Sequence, residues 1–123
     1  MRILILDDDQ MRHDAFARRY AGHELTHVYA VAEAQAALIA GGFDMASFDH
    51  DLADFQLEKQ PDGSVQEREK TGYDVVMFMV STLPEDRWPA EIIVHSWNAP
   101  RAHQMVEVLR DRGAAASYRP FTP

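Results

Sequence analysis

The chain contains no cysteine. Disulfides and thiolate metal sites are therefore excluded, and any metal must be held by oxygen or imidazole. That absence also fits a reducing compartment. Long apolar runs are missing too. The apolar start at residues 3–6 is far too short for a membrane span or a signal-peptide core. Basic residues are scarce, with 12 Lys and Arg against 20 Asp and Glu, for a net charge of −8. A surface this acidic excludes extended nucleic-acid binding, which needs a basic face. It leaves room for a local pocket that takes one phosphate, to which Arg12, Arg87, Arg101 or Arg119 can each contribute. A soluble, cytoplasmic protein that meets no membrane is the expectation.

What is present is enough for one core. The 123 residues are 46 % hydrophobic, which suits one domain over 1–123 without staples. Three apolar stretches each run out into polar, titratable residues. Residues 2–6 end in Asp7-Asp8-Asp9, residues 43–48 end in Asp49-His50-Asp51, and residues 91–94 end in His95-Ser96. A strand that ends in charged groups delivers them to one edge of a sheet, so these three clusters predict one site.

Helical patterns separate the strands. Asp8 or Asp9 can cap a first helix with a stripe of Met11, Ala15, Phe16 and Tyr20. Residues 25–30 read as a second strand nearer an edge, and residues 32–40 as an Ala-rich helix stopped by Gly41-Gly42. Thr71 and Asp74 form a capping-box pattern that opens a helix to about residue 83, with Tyr73, Val76, Phe78, Met79 and Val80 on its buried face. Asn98 caps another, with Pro100 in its first turn and a stripe of Ala102, Met105, Val106 and Leu109. Residues 115–119 make a short fifth strand. Residues 53–70 show no apolar period and read as a long polar loop insert, either a lid or an inert surface loop. Strands alternating with helices predict an α/β fold with a doubly wound parallel five-stranded sheet, and ligands bind such sheets at the carboxyl ends of the strands.

The order of these pieces resembles the receiver domain of response regulators. Residues 3–6 with Asp7-Asp8 look like its first strand and acidic pair, Asp49 falls at the phospho-acceptor position, and Ser96 falls near the hydroxyl residue that ends the fourth strand. Arg119-Pro120-Phe121 looks like the Lys-Pro-Phe step, with arginine for lysine. The resemblance implies strand order 2-1-3-4-5 with the final helix missing. The combination of Asp7-Asp8 with Arg12-His13, Asp49-His50-Asp51-Leu52 and His95-Ser96-Trp97-Asn98 is similar to a smaller group, the cyclic-phosphate processing receiver family. That resemblance implies a receiver scaffold refitted for phosphoester chemistry.

The chemistry follows from residue types. Three carboxylates, Asp7, Asp8 and Asp49, would repel one another unless a cation or shifted pKa values intervene, and hard oxygen donors suit Mg²⁺ or Mn²⁺. Asp8 and Asp9 acting only as caps is the simpler alternative. Cleaving a cyclic phosphate needs a base for water and an acid for the departing oxygen, roles that suit His50 and His95 together with Asp49. Ser96 and Arg119 are candidates to grip phosphate. His13, Asp51 and Asn98 are further possibilities, although His13 can simply pair with Asp9 and Asn98 can simply cap its helix. Trp97 can stack on a base or merely pack. The functional expectation is metal-assisted hydrolysis of a cyclic phosphate on a small phosphorylated ligand or an RNA end. The alternatives are a signalling receiver phosphorylated on Asp49 and a non-catalytic module that binds a phosphorylated ligand.

Overall fold

The computed structural model describes residues 1–123. Five strands form one parallel sheet: β1 (Arg2–Leu6), β2 (Glu24–Val28), β3 (Met45–Phe48), β6 (Glu91–Val94) and β7 (Ala116–Tyr118). Their spatial order is β2-β1-β3-β6-β7, the order expected for a receiver-like sheet. The helices are α1 (Gln10–Arg19), α2 (Val31–Ala40), α3 (Gly72–Ser81) and α4 (Ala99–Asp111), with a short 3-10 turn at Glu85–Arg87. No helix is long and apolar enough to cross a membrane.

Side-chain alternation divides the sheet into two faces. Leu4, Leu6, Ala46, Phe48, Ile92 and Val94 join the large core beneath α2, α3 and α4. Ile3, Ile5, Met45 and Ile93 join Phe16 of α1 and Phe121 in a smaller cluster on the other face. All of β3 is buried, as its place at the centre of the sheet requires.

The helix signals hold with small shifts. Asp9, rather than Asp8, caps α1 by accepting the Met11 N–H at 2.8 Å. The capping box of α3 is formed by Thr71 and Asp74. Asn98 caps α4 and accepts the Arg101 N–H at 3.4 Å. Met11 does not belong to the buried stripe of α1: it is exposed, and His13 with Phe16 fills the interior instead. On α3 the most buried residues are Val75, Val76 and Met79, one position off part of the expected stripe.

The expected polar loop at residues 53–70 is instead an antiparallel hairpin of β4 (Asp54–Lys59) and β5 (Val65–Lys70). It forms a separate two-stranded sheet. Its inner face is polar and tied down by ions: Arg68 reaches Glu58 and Asp74, and Lys70 reaches Glu58. Asp54 also accepts the Val31 N–H at the start of α2. Its apolar residues Phe55, Leu57 and Val65 are exposed. The apolar period is therefore real but faces solvent, which is why it carries no core signal.

Candidate functional site

The parallel ladder continues one residue past the strands and sets three site residues side by side. The Asp7 N–H donates to Val28 O (3.2 Å), the Asp49 N–H to Leu6 O (2.9 Å) and the His95 N–H to Phe48 O (2.9 Å). Leu6, Phe48 and Val94 are register partners, so Asp7, Asp49 and His95 follow in register and project to the same face. All three are buried. One ligating atom from each lies within 4.8 Å of the others.

Asp7 is completely enclosed and accepts four hydrogen bonds. Arg12 grips it as a fork, with Nε to Oδ2 at 2.7 Å and Nη2 to Oδ1 at 2.8 Å. The His95 Nε2–H donates to Oδ2 at 2.8 Å and the Asp9 N–H to Oδ1 at 2.9 Å. Burial alone would raise the pKa of Asp7. The bonds from His95, Arg12 and Asp9 outweigh burial and hold it well below the usual carboxylate range. His95 is 2 % exposed, and burial pushes its pKa down against the pull of Asp7. Because Asp7 can only accept, the His95 proton sits on Nε2, and Nδ1 accepts from the Ser47 hydroxyl at 2.7 Å. Both ring nitrogens are thus engaged.

Asp49 has the opposite electrostatics. Burial and the nearby charge of Asp7 raise its pKa to about 7. Its Oδ1 accepts the His50 N–H at 2.8 Å, and its Oδ2 lies 3.4 Å from Arg12 Nη2. Two neighbouring carboxylates are therefore driven apart, one firmly ionised and one holding its proton near neutrality. Asp8 is also raised, by partial burial and by Asp7.

Beside Asp49 lies a cavity of about 160 Å³ lined by Arg12, Asp49, Asp51, His95, Ser96, Trp97, Asn98 and Phe121. Ser96 is buried there and accepts the Asn98 N–H at 3.1 Å. The Trp97 indole is 66 % exposed, and its Nε1–H is pinned to Phe121 O at 2.8 Å. Its face lies 5.7 Å from the Arg12 guanidinium carbon.

Two residues expected in the site lie elsewhere. His50 follows Asp49 by one residue and so faces the opposite side of the sheet. Its Nδ1 pairs with Asp51 at 2.7 Å, and it lines a separate cleft with Tyr73, Arg101 and Gln104. Arg119 extends along the α1 face toward Glu91 at 3.7 Å and is largely exposed. Asp8 does not line the cavity and lies 3.6 Å from Arg12. His13 does not pair with the Asp9 side chain; its Nε2 donates to Asp7 O (2.8 Å) and its Nδ1 meets His27 Nδ1 (2.6 Å). Buttressing the backbone of Asp7 is the task that geometry gives it. Asn98 spends its side chain on the helix cap.

Arg12 is the residue whose importance the sequence understated. It was one of several arginines available for phosphate, yet it is the one that touches Asp7, Asp8, Asp9 and Asp49. Its spacing was the available signal, because residues three and four apart on a helix face one another and Asp8 and Asp9 precede it by that distance.

The donor set fits a hard divalent cation. Asp8 and Asp49 have pKa values raised first by burial and then by the charge of Asp7, so a bound cation would relieve the second of these two causes. Asp7 and Asp49 supply the oxygen donors of the cluster that meets within 4.8 Å, with His95 as its third member, and Asp8 lies outside it.

Comparison with known proteins agrees with this architecture. Among solved structures, a CheY-like receiver domain from Methanospirillum hungatei JF-1 superposes with a TM-score of 0.64 at 21 % identity, over 99 % of this chain and 83 % of that one. A CheY-like receiver domain from Methylobacillus flagellatus gives 0.64 at 15 % identity, over 99 % and 88 %. A response regulator from Burkholderia pseudomallei, with a phosphorylated aspartic acid, calcium ion and citrate, gives 0.64 at 18 % identity, over 98 % and 61 %. At these identities the likeness establishes the fold. No curated protein matches the chain. The family model described as "Cyclic-phosphate processing Receiver domain" matches residues 2–111. With four of the five strands of the parallel sheet inside that match, the chain belongs to the cyclic-phosphate processing receiver family.

Proposed function

We propose that this domain hydrolyses a cyclic phosphate at the cavity beside Asp49. The observation that carries the reading is the meeting of one protonatable carboxyl with two anion-binding donors, Arg12 and Ser96, around a space of phosphate size. Arg12 and Ser96 bind and orient the phosphoryl oxygens. Asp49 has Oδ1 committed to the His50 N–H, and Oδ2, with only a long 3.4 Å contact to Arg12 Nη2, is the oxygen that carries the proton in this scheme. In the reaction water adds to phosphorus as its proton passes to Asp49. The ring P–O bond breaks, and the leaving sugar oxygen takes the proton back, giving a phosphomonoester. A carboxyl that titrates near neutrality suits both halves of that transfer.

His95 and Asp7 are positioning residues in this scheme. His95 fixes Asp7, and Asp7 keeps the guanidinium at the cavity's edge. Both His95 nitrogens are engaged, so the proton work expected of it passes to Asp49, and His50 takes no part. Asp7, Asp8 and Asp49 are the residues that would hold Mg²⁺ or Mn²⁺. When bound, such an ion supplies Lewis-acid polarisation of the phosphoryl group and a more acidic water.

The test is incubation with Mg²⁺ and a panel of 2′,3′-cyclic nucleotides and RNA carrying terminal cyclic phosphates. Phosphomonoester should form, and Asp49→Asn should lower the rate by about 100-fold or more, the scale of general acid–base catalysis. His50→Ala should leave it unchanged. No product across the panel would sink the reading.

A second reading is phosphotransfer to Asp49 itself. The place of Asp49 at the carboxyl end of β3 in a receiver fold favours it, as does the phosphorylated aspartic acid of the Burkholderia pseudomallei protein. Against it stands Arg119, which lies away from the cavity. Labelling by acetyl phosphate that vanishes in Asp49→Asn would select this reading.

A further inference from the structure

The four bonds on Asp7 leave no free lone-pair direction, since a carboxylate offers about four. A cation can reach Asp7 only after one of its partners leaves. The Asp9 donor is main chain, and His95 is buried between Ser47 and Asp7. The Arg12 guanidinium is the partner able to move. It sits on a flexible stem and its side chain is 20 % exposed.

Its position is that of a cation among acids. It lies 2.7 Å from Asp7, 3.2 Å from Asp9, 3.4 Å from Asp49 and 3.6 Å from Asp8. It also has a place to go. The Trp97 indole is fixed by its bond to Phe121 O, is open to solvent, and presents its face to the guanidinium. An aromatic face attracts a guanidinium without neutralising it.

We propose that Arg12 is the resident cation of this acidic site, and that a divalent ion gains Asp7 only when the guanidinium withdraws from it toward Trp97. The chain's own side chain then competes with metal. When withdrawn, the same guanidinium faces the cavity, free to take phosphate oxygens. Metal arrival and phosphate capture would thus be linked by one moving group. The inference rests on the metal-assisted reading only in taking a divalent ion as the competitor.

Mg²⁺ titration of the whole chain tests it without substrate. Calorimetry should show Mg²⁺ binding at least tenfold tighter to Arg12→Gln than to the unsubstituted protein. Loss of a nearby positive charge alone would also tighten binding, so a second readout is needed. In the unsubstituted protein, the ¹⁵N–¹H signal of Arg12 Nε should be protected from solvent without metal. It should shift and lose that protection as Mg²⁺ saturates. Trp97 fluorescence should change with the same midpoint, and that change should be absent in Arg12→Gln. Mg²⁺ affinity unchanged or weakened in Arg12→Gln overturns the proposal, as does no detectable Mg²⁺ binding to either protein. An Nε signal that stays protected at saturation overturns it as well. Turnover does not enter these measurements, so an active enzyme with an immobile Arg12 would refute this inference and leave the catalytic reading intact.

Discussion

The sheet's carboxyl edge and the β4–β5 hairpin are both rich in charge, and they use it in opposite ways. At the edge, Asp7, Asp49 and His95 are buried, and their protonation is dictated by neighbours. On the hairpin, Glu58, Arg68 and Lys70 form ion pairs open to water. Exposed pairs contribute little to stability, typically about 0.2–1 kcal/mol each. Buried ones are costly to break because a partner is left stranded. Equal charge content therefore produces a reactive pocket in one place and a solvated arm in the other.

Substitutions can break or sharpen that contrast. The largest effect is expected from Asp7→Asn, which removes the buried charge that accepts from both Arg12 and His95. It should cost about 3 kcal/mol in urea unfolding, within the range for breaking a buried pair. If it costs no more than a hairpin substitution, the contrast fails.

Next is Gly72→Ala at the junction between the two regions. A Cβ there would fall 1.9 Å from Asp49 O and 2.9 Å from Met105 Cε. Backbone must shift, so a loss of about 2–3 kcal/mol is expected, together with a displaced Asp49. Thermal unfolding and the Asp49 carboxyl titration by NMR read the two effects.

The third concerns pH. Asp49 is raised from 3.8 to about 7, so the folded protein keeps a proton that the unfolded chain would release. Its contribution is complete below about pH 4 and is lost as pH rises through 7. In metal-free buffer, Asp49→Asn should remove that loss. The variant should gain on the order of 2–4 kcal/mol relative to the unsubstituted protein between pH 4 and pH 8. Asp7 has the reverse sign. Its contribution is present above the unfolded carboxylate value and disappears as pH falls further. Parallel pH profiles for the two proteins would show that Asp49 is not held protonated by its surroundings.

The smallest effect is expected on the hairpin. Leu57→Ser changes an exposed side chain and should alter stability by no more than about 0.5 kcal/mol in either direction. A loss of several kcal/mol would mean that the arm's outer face is covered.

The fold was largely legible because buried parallel strands are written as continuous apolar runs and helices announce their caps. Asp9, Thr71 and Asn98 all marked real helix starts. The hairpin was obscured by its own inversion: Phe55 and Leu57 alternate properly but face water, and the turn at residues 61–64 was the usable signal. At the site, Asp7, Asp49, His95 and Ser96 were legible from the common habit of three strands. His50 was not, because placing it near Asp49 in sequence says nothing of the face it takes. One residue of alternation sends it to α4. Arg119 failed for a related reason, since a side chain of that length can turn along the sheet toward Glu91 as readily as toward the edge.

Gly72 also joins what the chain separates. Its N–H donates to His50 O at 2.8 Å, so the backbone leaving β3 and the backbone entering α3 touch. Everything from Asp51 to Thr71 is an excursion that closes on itself at its base. Within it the exchangeable part is the outer end of the hairpin, since Asp51, Leu52, Asp54 and Thr71 at its base are tied to the cavity, the core and two helix starts.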